Sequence, residues 1–144
     1  MDAIERGRFV FNMEDSDRHR LLRHLPEDEK ETLEAYWPFW ARSEQLPPES
    51  NWRVWLICAG RGFGKTRAGA EWVRHIAEED PFARIALVAR SIGEARSVMV
   101  EGESGLLACH TGDDGPVFEP SLRRLTWPNG AQATLYSALE PESL

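Results

Sequence analysis

The spacing of apolar positions changes from segment to segment along this chain, and each change predicts an element. In residues 26–42, P-E-D-E-K-E-T-L-E-A-Y-W-P-F-W-A-R, acids suited to the positive end of a helix give way to aromatic residues, so a helix is expected that Pro38 breaks or kinks. The segment L-P-P-E-S-N then makes a turn. Trp52 to Cys58 is apolar almost throughout, as a parallel strand buried on both faces would be. From Thr66 to Glu79 the period becomes helical, with Ala70, Val73 and Ile76 or Ala77 facing inward and Asp80-Pro81 closing the run. A second strand follows over Arg84–Ala89, giving a strand–helix–strand unit with an expected right-handed crossover. Residues 91–100 predict a short helix with Ser91 as N-cap, and His110–Pro116 an exposed loop. In L-R-R-L-T-W-P-N-G-A-Q-A-T-L-Y-S two alternating segments meet at Asn129-Gly130, the sign of a β-hairpin.

Between the first predicted strand and its helix lies A-G-R-G-F-G-K-T, residues 59–66. Gly60, Gly62 and Gly64 carry no Cβ, so backbone N–H groups can converge there on phosphate oxygens, and the helix adds its positive end. In the phosphate-loop pattern Gly64 is the last glycine, Lys65 reaches the β- and γ-phosphates, and the Thr66 hydroxyl coordinates Mg²⁺. Ala59 stands where the strict pattern has its first glycine, with Gly60 beside it to supply a tight turn. The bare Gly-Lys-Thr triplet is weak evidence, since roughly one chain in ten of this length would carry such a triplet by chance. The strand–loop–helix order around it is what separates a phosphate loop from a Gly-rich surface turn.

Composition narrows the function classes. The chain has 144 residues, 42% hydrophobic and 28% charged, which suits a soluble globular protein. No apolar run approaches the roughly 20 residues a spanning helix needs, and M-D-A-I-E-R lacks a signal-peptide core, so a cytoplasmic location is expected. Cys58 and Cys109 have no metal or disulfide spacing, and His19, His24, His75 and His110 have no ligand spacing. A net charge of −7 excludes a general electrostatic DNA clamp. Arg18, Arg20 and Arg23, set among acids, read as a solvated helix face. The expected organisation is a loose arm over 1–25, an aromatic segment over 26–50 and a nucleotide-binding core over 51–144.

The loop, together with F-W-A-R-S-E-Q-L-P-P upstream and V-M-V-E-G-E-S-G-L-L and R-R-L-T-W-P-N-G-A-Q-A-T-L-Y-S-A downstream, resembles the large terminase subunit of tailed phages, nearest the branch of gene transfer agents and related prophages. The resemblance runs from about Phe39 to Leu144. It implies an α/β P-loop NTPase of the ASCE type, with a parallel sheet flanked by helices and a C-terminal β-hairpin. It also implies an ATPase motor that drives double-stranded DNA through a portal protein, with a small terminase subunit as partner and a homo-oligomeric ring formed on the portal. ATP and Mg²⁺ are the implied cofactors.

By the same resemblance Arg61 matches an arginine used in cis against the γ-phosphate, and Gln45 sits where the family places an adenine-contacting glutamine, with Phe39 or Trp40 able to stack on the base. Phe63 and Arg67, inside and just after the loop, complete the nucleotide-binding candidates. No DNA role is assigned to Arg67, Arg84, Arg90 or Arg96.

Hydrolysis on this fold also needs an Asp at a strand end to share Mg²⁺ with Thr66, and a Glu to activate water. R-I-A-L-V-A-R ends in Arg90, and T-L-Y-S-A-L-E offers only Glu140. The family pattern places that pair shortly after Leu144, so the chain is expected to be the first part of an ATPase domain, without its nuclease domain, binding nucleotide with little turnover alone. Two other readings stay open: a small-molecule kinase, and an inactive truncated remnant.

Overall fold

A computed structural model describes residues 13–110 and 114–140. The chain divides into two compact units, residues 1–58 and 59–144.

In the first unit, helix α1 (Asp15–Leu22) lies within the stretch expected to be a loose arm. Helix α2 (Glu27–Ala35) begins with three acids against its positive end, and the chain breaks at Tyr36 before the short α3 (Trp37–Trp40), as the proline required. Phe39 is fully buried, and the Trp40 indole N–H donates to Glu34 O at 3.1 Å. Arg18 is not on a solvated face: it is buried, and its guanidinium donates to Trp40 O at 3.2 Å with Asp15 at 3.6 Å. A carbonyl at a helix end lacks an intrahelical partner, and Arg18 supplies one from a neighbouring element.

The second unit is built on a four-stranded sheet in the order β1-β4-β3-β2, comprising β1 (Arg84–Ala89), β2 (Val117–Glu119), β3 (Arg124–Thr126) and β4 (Gln132–Ser137). Only β1 and β4 are parallel, in register from Arg84↔Gln132 to Ala89↔Ser137. The hairpin forms as expected: β3 and β4 are antiparallel with Leu125 opposite Ala133, and Gly130 takes φ 102° in the connection. Ala133, Leu135 and Ser137 alternate into the core along β4. Helix α4 (Lys65–Glu79) buries Ala70, Val73 and Ala77 there, while Ile76 packs at its margin. Asn129 also closes this helix, its amide donating to Ala77 O at 2.7 Å and Glu78 O at 3.3 Å.

Several expectations are corrected. Residues 52–58 form no strand: Val54 and Leu56 are 83% and 77% exposed, and the parallel partner of β1 is β4. An apolar run records an appetite for burial but does not name the strand that satisfies it. The sheet is therefore mixed, and no strand enters the loop at 59–66. The helix expected over 91–100 starts as planned, with Ser91 Oγ accepting from Glu94 N at 3.2 Å. It then widens from one α-turn (Ile92–Glu94) into a π-helix over Ala95–Val100, where Glu101 N reaches back five residues to Arg96 O at 2.9 Å. His110 is half-buried: its ring bonds Leu106 O at 2.9 Å and receives the Trp127 indole N–H at 3.4 Å. Residues 111–113 of that predicted loop lie outside the described residues.

Candidate functional site

The loop of residues 60–64 alternates three glycines with Arg61 and Phe63. Gly62 and Gly64 have φ of 81° and 87°, in the left-handed region where a side chain is strained. Gly60 lies outside that region, and a Cβ there, as at Gly62, meets nothing within 4 Å. Gly64 is the N-cap of α4, and the first intrahelical bond runs from Ala68 N to Gly64 O at 2.9 Å. The N–H groups of the first turn precede any intrahelical acceptor and point out of the helix end along its dipole.

Lys65 opens the helix and folds back over the loop. Its ammonium donates to Ala59 O at 2.8 Å and Gly60 O at 2.7 Å, so the loop curls around a single positive charge. Thr66 is half-buried beside it, as is Phe63, whereas Arg61 is exposed at the loop's outer rim. A cavity of about 530 Å³ brings Arg61, Gly62, Gly64, Lys65 and Thr66 together with Ser97, Gly102, Glu103 and Ser104. A neighbouring cavity of about 450 Å³, largely apolar, runs from Lys65 and Thr66 along Ala70 and Val73 to Ala86 and Val88 of β1. This second cavity joins Lys65 and Thr66 to residues 86–88 of β1.

Arg67 turns to the helix's own flank. Its guanidinium contacts Glu71 Oε1 at 2.6 and 2.8 Å, and Arg74 Nε lies 3.2 Å from Glu71 Oε2. Glu71, with its side chain 1% exposed, is a buried carboxylate held between two arginines, and Arg74 also donates to Cys109 O at 2.7 Å. Sequence reasoning missed this trio, although R-x-x-x-E-x-x-R places all three on one helical face. The cavity residues of 97–104 were missed as well, because nothing in local spacing says which loop faces another.

Gln45, in the first unit, is 6% exposed and closes a one-turn 3₁₀ helix (Ser43–Gln45), its side-chain oxygen accepting Arg42 N–H at 2.9 Å. Among the described residues no cluster of His, Cys, Asp or Glu has the form of a metal site, and no helix is long and apolar enough to cross a membrane.

No curated protein and no solved structure matches the chain. A family model does, over residues 56–143, a span that begins just before the loop and takes in α4, the π-helix and the whole sheet. By that match over more than half its length, the chain belongs to the family described as terminase large subunit, T4likevirus-type, N-terminal.

Proposed function

We propose that the chain binds ATP with a divalent cation at residues 60–66 and forms the ATP-binding part of a motor that packages DNA into phage-like capsids. The observation that carries the reading is the seat of Lys65, an ammonium clasped by the carbonyls of Ala59 and Gly60 at the mouth of a helix. The left-handed Gly62 and Gly64 support it, because a cradle of backbone N–H groups needs positions without side chains. Family membership supports the DNA-packaging motor, and double-stranded DNA, a portal protein, a small terminase subunit and a ring on the portal are the partners that this reading proposes. The P-loop NTPase architecture belongs to the same proposal.

When bound, ATP supplies the transferable phosphoryl group and Mg²⁺ the charge that neutralises it. The chain's own residues have separable tasks. Lys65 trades loop carbonyls for phosphate oxygens, the first-turn N–H groups of α4 hold those oxygens, and Thr66 offers its hydroxyl to the cation. Arg61, exposed at the rim, is free to swing toward the terminal phosphate. The family's assignment of a glutamine to the adenine, here Gln45, is part of this reading.

Binding to the native state alone must raise stability, by about 2.7 kcal/mol at a hundredfold excess over Kd. A thermal-shift titration with ATP and Mg²⁺ is expected to raise Tm for the natural chain, and Lys65→Ala to abolish the rise. No shift in the natural chain, or an undiminished shift in Lys65→Ala, refutes the assignment.

A further inference from the structure

The wall of the cavity facing the loop is built from a turn whose rigidity its exposure does not explain. The π-helix ends in Val100, fully buried, and Leu106, 1% exposed, re-enters the core six residues later. Between these anchors the chain folds back tightly, with Gly105 N donating to Gly102 O and Leu106 N to Met99 O, both at 2.8 Å. A Cβ on Gly102 would stand 2.8 Å from Val98 O, and one on Gly105 2.7 Å from Val100 O, so neither position accepts a side chain without moving backbone. Arg96 fixes the near side: it grips Glu101 through two bonds of 2.9 Å and lies over the Phe118 ring at 5.6 Å. That grip holds the Glu101 carboxyl below its ordinary pKa.

What this turn presents to the cavity is Glu103, with Ser104 beside it and Ser97 below. Glu101 is engaged by Arg96, but Glu103 has no hydrogen-bond or ion-pair partner among the described residues and is exposed. A carboxylate lining the same cavity as Lys65 and Thr66 is a poor neighbour for bare phosphates, which it repels. It becomes a good one when a divalent cation lies between them.

We propose that Glu103 is a cation-anchoring residue of this site, acting with Thr66 to hold the divalent metal that accompanies a nucleoside triphosphate. The inference rests on the phosphate-loop reading above and adds to it a carboxylate that lines the same cavity; Glu119, at the end of β2, is instead paired with Arg124. The residue signature is E-G-E-S-G, in which the two glycines shape the turn, the first Glu is spent on Arg96, and the second is left for the ligand.

The test is ATP affinity of the full chain, measured by isothermal titration with excess Mg²⁺ and again with EDTA, for the natural protein, Glu103→Gln and Lys65→Ala. In Glu103→Gln the enhancement of affinity by Mg²⁺ is expected to shrink about tenfold, the low end for losing a group that supports a bound metal. Its metal-free affinity should be equal or higher, since a repulsive charge is gone. Tm without nucleotide should not change, because Glu103 has no partner to lose. An unchanged Mg²⁺ enhancement in Glu103→Gln overturns the proposal while leaving the phosphate loop intact. Failure of the natural chain to bind ATP, or undiminished binding in Lys65→Ala, overturns both. Lys65→Ala should lose affinity with and without metal, which keeps the two failures distinguishable.

Discussion

Cys109 sits 3% exposed behind α4, its thiol directed to Gly105 O at 3.3 Å. Burial, reinforced by the nearby Glu71 carboxylate, pushes its pKa up from 9.0 to about 12. The sign of the consequence follows from proton counts. Between about pH 9 and 12 the unfolded chain gives up the thiol proton and the folded chain keeps it, so stability is present below that window and falls as pH rises through it. Urea midpoints are therefore expected to drop from pH 8.5 to about 10.5 more steeply in the natural chain than in Cys109→Ala, and parallel pH profiles would refute the shift. Thiol labelling at pH 8 gives a second reading of the same burial: exposed Cys58 reacts at once, and Cys109 only in denaturant. The sequence already separated these two cysteines from metal chemistry. It could not say which was inert, because their positions reversed expectation: Cys58, assigned to a buried strand, is exposed, and Cys109, beside a predicted loop, lies in the core.

Among the elements, one side chain bonds the β3–β4 turn to the end of α4. Asn129 donates from Nδ2 to Ala77 O and Glu78 O, and its Oδ1 accepts Ala131 N–H at 3.1 Å. Asn129→Ala removes a cap and a turn bond together and is expected to cost about 1–2 kcal/mol in urea unfolding followed by circular dichroism. Asn129→Asp, which keeps the acceptor but loses the donor, should cost more at the helix end than at the turn, so protection of the last α4 amides falls while the hairpin amides stay protected. A loss under 0.3 kcal/mol in Asn129→Ala would refute the dual role. This turn was legible as a hairpin because Asn-Gly and strand alternation are local signals. Its second duty was not, since Ala77 and Asn129 are far apart in sequence. The same division runs through the site. Helix α4 and its glycine loop were readable from spacing, whereas the π-helix was not, because a step of one extra residue per turn leaves the apolar pattern nearly unchanged. Residues 52–58 failed as a strand for the complementary reason: strand formation depends on a partner edge, and hydropathy reports only the need for one.

At the scale of the whole molecule, charge decides what the chain does with DNA by itself. The net charge is −7, and five of the arginines that offset the acids are committed. Arg18 is bound to Trp40 O, Arg67 and Arg74 to Glu71, Arg96 to Glu101, and Arg124 to Glu119. A guanidinium already paired with a carboxylate neutralises no phosphate, and each phosphate neutralised contributes close to one unit to the salt dependence of duplex binding. Non-specific duplex binding by strongly basic proteins reaches Kd values of about 10⁻⁴ to 10⁻⁶ M at physiological salt, and this chain should fall at or beyond the weak end. Fluorescence anisotropy with a labelled 30-base-pair duplex is expected to show no saturation up to about 50 μM protein at 0.15 M salt, and only a shallow salt slope on dilution of the buffer. Sub-micromolar binding with a steep slope would refute this, and would require exposed arginines such as Arg61 and Arg90, joined by arginines that leave their carboxylates, to hold the duplex. Arg96→Gln would then be the first variant to measure: it must weaken such binding if its pair with Glu101 opens, and leave the shallow slope unchanged if that pair holds.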